Sequence, residues 1–385
     1  MTDLTLYHCA VSERTSWLVL RLRTSDRLTA YGECSDAGPL ADVVAALDEW
    51  TPFFQAEDVV GDFARDRDAH RVRDLLSEGG PLREHSTAVR QRAGARSGFL
   101  HTTVWGGIEQ ALCDLAARAA GVPLWKWLGG TRPEPLPLYA NINRAPGGRE
   151  PRDVAATAGQ AVAAGFGGVK LAPFDTPGDR PLPDLGLSRV RAVRQAVGAG
   201  PGLMVDCHER VVLDELLPVL DDLLALRLDW LEDAVGIEHV DELRRLRRYT
   251  GEVPLAGGEF ATDRGQIEAV ADLLDVVMPD VKHAGGVHAA LALAHAALEV
   301  GASVSLHNPS GPIATAFGAH VAAVVPGVLE YAFGEVPWRG DVLTNGEPVR
   351  HGHYIVPDGP GIGLDLDTTH SSVTPVWSVS LQEPR

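Results

Sequence analysis

Short apolar runs that end in an acidic residue or a histidine recur through the second half of the chain. In the first of them, MVDCHER, Asp206 and His208 lie two residues apart, so both side chains point to the same side of a strand. Runs of the same build follow, each about one strand-plus-helix unit after the last, and end at Glu232, Glu259, Asp280 and His307. Successive strands of a (β/α)8 barrel deliver side chains to one face in this way. The pattern therefore predicts a barrel with one polar mouth.

The segments around these runs alternate between strand-like and helix-like patterns from Leu136 to Phe333. The strand candidates are PLYANIN, FGGVKLA, GLMVDCH, LDWLEDA, VPLAGGE, DVVMPDV, SVSLHN and VLEYAF. Helices are predicted at 153–164, 186–197, 213–226, 240–249, 264–271, 287–300 and 314–324. Alternating strands and helices with short connections predict parallel strands, and eight such strands fit a closed α/β barrel of the TIM type.

The chain before this barrel has a different pattern. SWLVLRLR and LTAYGE predict a β-meander, and a helical pattern begins at Asp42. Residues 83–97 carry several arginines and little apolar periodicity. We interpret them as a mobile loop, which is either a solvated face or a lid that presents a cation to a substrate. A long helix and a short one follow. We expect an N-terminal α+β capping domain at 1–128, the barrel at 129–333, and a C-terminal segment at 334–385 that packs back on the capping domain.

Charge and composition narrow the classes of partner. The formal net charge of −18 argues against nucleic acid or an anionic membrane as the main partner. No apolar run is long enough to span a membrane, and the N-terminus lacks the basic segment and apolar core of a signal peptide. The four cysteines show no CxxC spacing, so we expect reduced thiols in a cytoplasmic protein.

Asp206, Glu232 and Glu259 end consecutive predicted strands. Three carboxylates at one barrel mouth would repel one another unless a divalent cation neutralises them. Carboxylate oxygens suit Mg²⁺, with Mn²⁺ as the nearest rival, and the absence of Cys or paired His at these positions argues against structural zinc. The alternative is three unrelated salt bridges, but acids on three successive strands favour the metal site.

Asp280 and His307 end the next two predicted strands. A carboxylate on one imidazole nitrogen fixes the tautomer and raises the basicity of the other nitrogen, which makes His307 a candidate general base. The alternative is a buried histidine that an aspartate merely satisfies. His208 would lie near the metal on another side of the cavity, and two such histidines suit a reaction that takes one proton and delivers another. The alternative for His208 is a hydrogen bond to a metal ligand.

Two lysines and several polar residues are further candidates. Lys170, in GVKLAPF, and Lys282, on the same face as Asp280, would bind a substrate carboxylate or have a depressed pKa near the metal. Glu330 and Glu335, near the last strand, would either hydrogen-bond an enolate oxygen or form salt bridges. The residues that end the first barrel strand, and would line the pocket, are Asn141, Asn143 and Arg144.

A metal and two proton-transfer groups around an anionic pocket predict chemistry next to a carboxylate. The metal would bind the substrate carboxylate and stabilise the enediolate that forms when a base takes the α-proton. An acid then either protonates the opposite face, which is racemisation, or helps to expel a β-hydroxyl, which is dehydration.

These motifs resemble the enolase superfamily, and within it the mandelate racemase-like group, over nearly the whole chain. A strand of the family's capping domain is similar to YGECS at 31–35. The helical segment by which the family's chain approaches the barrel is similar to IEQALCDLAARAAGVPLWKWLGG, and motifs of the family's barrel are similar to PDVKHAGGV and HNPSGPIA. The resemblance implies a homo-oligomer, because dimers and octamers are common in the family. It also implies that the metal ligands are Asp206, Glu232 and Glu259, and that the Asp-His dyad is Asp280 and His307.

Two departures from the racemases of this group narrow the expected reaction. Those racemases carry Lys-x-Lys on the second barrel strand, whereas KLA at 170–172 ends in alanine, which cannot transfer a proton. DCH at 206–208, with Arg210, instead resembles the Asp-x-His pattern of the sugar-acid dehydratases, such as the galactonate and mannonate enzymes. By that resemblance His307 takes the α-proton and His208 assists loss of the β-hydroxyl, which gives a 2-keto acid. Lys282 replaces a smaller residue of many relatives.

We therefore expect a Mg²⁺-dependent dehydratase that acts on a sugar acid or a related hydroxy acid. The alternative enzyme is an epimerase or racemase of a carboxylate, with His208, Lys170 or Lys282 as the second base. A catalytically silent metal-binding barrel is the alternative from another class, and the complete set of ligands and dyad argues against it. The expected substrate ligands are Asn141, Arg144, Arg210 and Glu330.

Overall fold

The structure, a computed structural model, describes residues 2–13, 15–25, 27–56, 81–131 and 133–381. Its N-terminal sheet is antiparallel and consists of β1 Thr2–Ala10, β2 Ser16–Arg23, β3 Thr29–Glu33 and a strand from the C-terminal end of the chain. Three helices follow β3 in the described part: α1 Leu40–Ala56, α2 Pro81–Ala119 and α3 Leu124–Trp127. The predicted meander is thus β2 and β3, and the predicted helix after Asp42 is α1.

Eight parallel strands form the closed barrel that the sequence predicts. Each strand pairs with the next along the chain, and the last pairs with the first to close the ring. The strands are β4 Leu136–Asn141, β5 Gly168–Leu171, β6 Gly202–Asp206, β7 Trp230–Glu232, β8 Leu255–Gly257, β9 Val276–Val277, β10 Ser303–Leu306 and β11 Val328–Ala332. The helices between them are α4 Pro151–Ala163, α5 Leu182–Val197, α6 Leu213–Leu224, α7 Val240–Thr250, α8 Arg264–Glu268, α9 Val287–Glu299 and α10 Pro312–Ala322.

Local sequence explains where several of these helices begin. Proline lies in the first turn of α4 and α10, where its fixed φ suits the helix and its missing N–H is not needed. A capping box starts α8, because the Asp263 side chain accepts from Gln266 N while the Gln266 side chain accepts from Asp263 N. These starts fix where the strand-to-helix loops before α4, α8 and α10 end.

The barrel interior has an apolar floor beneath that mouth. Six buried residues fill it, contributed by β4, β6, β7, β8 and the end of β9, and Tyr139 and Trp230 meet edge to face with ring centroids 5.2 Å apart. The Trp230 indole N–H donates to Glu232 Oε2 at 3.0 Å. Packed side chains inside a barrel close it to solvent, so polar residues above them lie in a cavity with one opening.

The segment after β11 returns to both sheets. It contains a 3₁₀ helix, Arg339–Val342, and a short hairpin, β12 Val349–Arg350 with β13 His353–Tyr354, whose second strand pairs antiparallel with β4. The last strand, β14 Val373–Leu381, pairs with β1. The C-terminal segment therefore completes the N-terminal sheet, as predicted, whereas the domain boundaries after residues 128 and 333 stay a prediction.

Glu33, at the end of β3, holds the N-terminal sheet against the start of α10. Its buried carboxylate accepts hydrogen bonds from Gly311 N at 2.7 Å, Ala314 N at 2.8 Å and Ser35 Oγ at 2.6 Å. A carboxylate suits this position because the first N–H groups of a helix lack partners within the helix and carry partial positive charge.

We expect Glu33→Gln to lower the free energy of unfolding by about 1–3 kcal/mol, because an amide NH₂ would face backbone donors that need an acceptor. Urea unfolding followed by circular dichroism measures the change. Glu252→Gln is the control: Glu252 is exposed, so its replacement should change the free energy by less than about 0.5 kcal/mol. Equal effects of the two substitutions would contradict this role of Glu33.

The predicted loop at 83–97 is wrong as secondary structure. The backbone of these residues belongs to α2, which extends from Pro81 to Ala119. Ala, Arg, Gln and Glu have high intrinsic helix propensity, so a helix rich in them needs no apolar periodicity. The side chains of 83–97 lie outside the described residues, and the lid that presents a cation stays a prediction. Among the described helices, none is both long enough and apolar enough to cross a membrane.

Candidate active site

A cavity of about 440 Å³ opens at the C-terminal ends of the barrel strands. This is where the loops that follow the strands of a TIM barrel place functional side chains. The described residues that line it are Asp36, Phe99, Asn141, Asn143, Arg144, Asp175, Asp206, His208, Glu259, Phe260, His283, His307 and Pro309.

Lys170 lies within the predicted metal-binding carboxylates. Its Nζ is 2.7 Å from Glu232 Oε1, 2.9 Å from Glu330 Oε1 and 3.4 Å from Asp206 Oδ2, and its side chain is fully buried. Burial alone would lower the pKa of Lys170, but Glu232 and Glu330 outweigh burial and raise the pKa well above its ordinary value. Lys170 is therefore a fixed cation that offsets part of the negative charge. The role of Lys170 as a second base stays a prediction.

Two of the three predicted metal ligands, Glu232 and Glu259, offer atoms that lie within 4.8 Å of one another and of a ring nitrogen of His307. The third, Asp206, lies 3.4 Å from Lys170 Nζ, which also contacts Glu232. Burial, together with Asp206, raises the pKa of Glu232 to about 8. Asp206 Oδ2 and Glu259 Oε2 are buried and accept no hydrogen bond. His208 Nε2 lies 2.9 Å from the first oxygen and His307 Nε2 lies 2.8 Å from the second, but neither contact has hydrogen-bond geometry. Buried carboxylate oxygens with free lone pairs fit a hard divalent cation, so these residues fit the predicted Mg²⁺ site.

Asp280 and His307 form a contact between neighbouring barrel strands. His307 Nδ1 lies 2.9 Å from Asp280 Oδ2, and Lys282 Nζ lies 2.7 Å from the same oxygen. Burial opposes ionisation of Asp280, but Lys282 and His283 hold its pKa well below the ordinary value. His307 Nε2 lies 2.8 Å from Glu259 Oε2. Burial would lower the pKa of His307, yet Glu259 and Glu330 raise it well above the ordinary value.

His208 occupies the other side of the carboxylates. β6 and β10 are four strands apart in a ring of eight, which puts His208 and His307 on opposite sides of the barrel mouth. His208 Nε2 lies 2.9 Å from Asp206 Oδ2, and Nδ1 lies 2.9 Å from Asp175 Oδ1. Burial would lower the pKa of His208, but the contacts with Asp175 and Asp206 raise it to about 11. The imidazole lies between two carboxylates, which favour its protonated form.

The predicted substrate ligands divide into two groups. Asn141 and Arg144 line the cavity, where Arg144 Nη2 lies 3.0 Å from Asp36 Oδ2. Glu330 is fully buried and accepts from Asn141 Nδ2 at 2.5 Å and from Asn308 N at 3.0 Å. Arg210 is mostly exposed and donates to Asp175 Oδ1 at 3.3 Å. Neither Glu330 nor Arg210 is among the described residues that line the cavity, and their contact with substrate stays a prediction.

Several residues that line the cavity carry no recognisable signal in the sequence. Asp175 and Asp36 lie on loops, where no periodicity marks a side chain as inward, although loops at the strand ends are where barrels carry function. His283, Phe99 and Phe260 form an aromatic wall, with Phe99 4.8 Å from His283 and 5.4 Å from Phe260 between ring centroids. Burial lowers the pKa of His283 to about 4, which favours a neutral imidazole in this aromatic wall.

Comparisons with known proteins agree with this geometry. The family described as enolase C-terminal domain-like matches residues 153–370. A D-galactonate dehydratase of Verminephrobacter eiseniae is 30% identical over 381 residues, covering 95% of this chain and 92% of the relative. A D-gluconate dehydratase of Thermoproteus tenax is 28% identical over 360 residues, covering 91% of this chain and 68% of the relative.

Solved structures of related proteins have the same fold. A mandelate racemase/muconate lactonizing enzyme-like protein from Rubrobacter xylanophilus superposes with a TM-score of 0.78 at 26% identity, over 97% of this chain and 98% of that one. A mandelate racemase/muconate lactonizing enzyme from Jannaschia sp. CCS1 has a TM-score of 0.75 at 21% identity, over 94% of each chain. With the family match, the closed barrel and the N-terminal sheet, the chain belongs to the enolase superfamily, in its mandelate racemase-like group.

Proposed function

We propose that this enzyme dehydrates a sugar acid of the aldonic type to a 2-keto acid. One observation carries the proposal: His307 and His208 approach the carboxylate cluster from opposite sides, and an aspartate lies against Nδ1 of each. Elimination of water needs a base for the α-proton and an acid for the β-hydroxyl, and two separately held imidazoles meet that need. Dehydration is also the reaction named for the D-galactonate and D-gluconate relatives.

The proton transfers follow from the ring nitrogens that face the cluster. His307 Nε2 takes the proton from C2 of the substrate, while Asp280 holds Nδ1 and stabilises the imidazolium that forms. The C3–O bond breaks, and the departing oxygen takes the Nε2 proton of His208 and leaves as water. The resulting enol rearranges to the 2-keto acid. When bound, a divalent cation would neutralise the substrate carboxylate and the charge that develops beside it, and would offset the field of Glu259 on His307.

The part of the cavity wall that Arg144 and Asp36 form favours an uncharged polyol chain. Arg144 is the arginine among the described residues that line the cavity, and Asp36 lies 3.0 Å from it. Asp36 also accepts from Ser310 Oγ at 2.6 Å, so the pair is held in place. Hydroxyl groups can donate to Asp36 and accept from Arg144, whereas a second carboxylate would meet a cation that is already neutralised. The arrangement supports a substrate with one carboxylate.

We expect kcat/KM of the wild-type enzyme to be at least about tenfold higher for an aldonic acid than for the matching aldaric acid. About 1.4 kcal/mol of repulsion between Asp36 and the second carboxylate of the aldaric acid suffices for that factor. Asp36→Asn frees the charge of Arg144 and should reduce this preference, chiefly through a lower KM for the diacid. Steady-state assays of both substrates with both proteins measure the ratio. Asp42→Asn, on α1, is the control and should leave the ratio unchanged. An unchanged ratio of the two kcat/KM values in Asp36→Asn would contradict the role of Asp36 in neutralising Arg144.

The proposed reaction is tested by incubation of the purified protein with Mg²⁺ and a panel of aldonic acids in deuterated water. Release of a keto acid that reacts with semicarbazide, abolished by EDTA, would support dehydration. Return of the acid with deuterium at C2 and no keto acid would instead indicate an epimerase or racemase. Absence of both reactions across the panel would contradict the proposed function.

A further inference from the structure

A second Asp–His pair faces the predicted dyad across the cavity. His208 Nδ1 lies 2.9 and 3.0 Å from the two oxygens of Asp175, and His307 Nδ1 lies 2.9 Å from Asp280 Oδ2. In both pairs Nε2 points to the carboxylate cluster, at 2.9 Å from Asp206 Oδ2 and 2.8 Å from Glu259 Oε2. Because a carboxylate only accepts, Nδ1 of each ring carries a proton. The two histidines are therefore oriented by the same kind of contact.

The backbone around His208 aims this ring into the cavity. His208 and Glu209 both have positive φ, 47° and 51°, in the left-handed region that residues other than glycine seldom occupy. Hydrogen bonds hold this turn, since His208 N donates to Asp206 Oδ1 at 3.3 Å and Glu209 N to Asp233 O at 2.9 Å. Unfavourable backbone geometry persists where the surrounding contacts fix it, and it clusters at functional sites. Here it brings the imidazole between Asp206 and Asp175.

The two aspartates differ in their surroundings in a way that suits different tasks. Asp280 is fully buried, and Lys282 contacts the same oxygen as His307. The side chain of Asp175 is 34% exposed, lies at the cavity wall and also contacts Arg210. A group at the open side has access to solvent, where the departing water must go and from where a donor is reprotonated in each turnover.

We propose that Asp175 is the positioning residue of the acid: it holds the His208 ring by Nδ1 so that Nε2 delivers its proton to the β-hydroxyl. This inference rests on the proposed dehydration and assigns a role in it to a residue of the loop after β5. Proton abstraction at C2 by His307 does not involve Asp175. The loss of Asp175 should therefore slow elimination without an equal loss of α-proton exchange.

The test compares two rates in Asp175→Ala: keto-acid release, and exchange of the C2 proton with deuterated water. We expect release to fall by about 10²-fold, as for loss of general acid catalysis, and exchange to change far less. Asp175→Asn keeps an oxygen that accepts from Nδ1 and should recover part of the release. Asp179→Ala is the matched control, since Asp179 is exposed on the same loop, and both of its rates should equal those of wild type.

A second readout does not depend on turnover. In metal-free protein labelled with ¹⁵N-histidine, the His208 Nδ1–H signal, assigned by its loss in His208→Asn, should be lost or shifted in Asp175→Ala and retained in Asp179→Ala. If wild type eliminates water but Asp175→Ala loses release and exchange equally, or keeps both, this inference is wrong while the proposed function stands. If wild type releases no keto acid from any acid, the proposed function itself is wrong.

Discussion

Replacement of His307 by asparagine is expected to lower kcat for keto-acid release by about 10²–10⁴-fold, the usual contribution of a general base. It should also abolish exchange of the C2 proton, because both reactions begin with the proton transfer to Nε2. Asparagine is no larger than histidine and keeps a hydrogen-bond donor near Asp280, so the buried Asp280 carboxylate keeps a hydrogen-bond partner. Isotope exchange in deuterated water, followed by NMR, separates this step from elimination.

His295→Asn is the control for this substitution. His295 is exposed on α9 and lines a different surface groove, so its replacement should change neither rate. Continued exchange at the wild-type rate in His307→Asn would show that another group takes the proton, and Lys170 and Lys282 would then be the residues to replace. Loss of release with normal exchange would assign His307 to the later step instead.

Lys170→Met is expected to have the largest effect on stability. The substitution removes the cation that lies within 3.4 Å of Asp206, Glu232 and Glu330 and leaves buried carboxylates without compensation. Breaking a buried ion pair by removing one partner costs about 3–5 kcal/mol. Urea unfolding in EDTA should show a loss of this size. Mg²⁺ should reduce the difference from wild type, because a divalent cation at the same carboxylates replaces part of the missing charge.

Lys126→Met is the matched control, because Lys126 is exposed on α3 and should be replaceable with little change in stability. A loss in Lys170→Met that is the same with and without Mg²⁺ would contradict binding of the cation at this cluster. A variant as stable as wild type in EDTA would mean that the carboxylates take up protons in place of the ammonium group.

The barrel was predictable because its signal is local and repeated. Each strand of a parallel sheet pairs with a neighbour in sequence through a short helical connection, so alternating patterns determine the order of strands without knowledge of contacts. Residues that end those strands, such as Asp206 and His307, are then placed at one mouth by the fold itself. Residues 83–97 are helical although their pattern predicts a loop, because high intrinsic helix propensity leaves no periodic signal in a sequence.

Patterns along the chain are enough to predict the closed barrel and the acids and histidines expected at its mouth. The contacts among side chains at the mouth are visible only in the folded chain: Lys170 lies among the carboxylates, Asp175 against His208, and Asp36 against Arg144. Strand periodicity gives the direction of a side chain on a regular element. Contacts between loops instead depend on the path of the backbone through turns, such as the one in which His208 and Glu209 have positive φ.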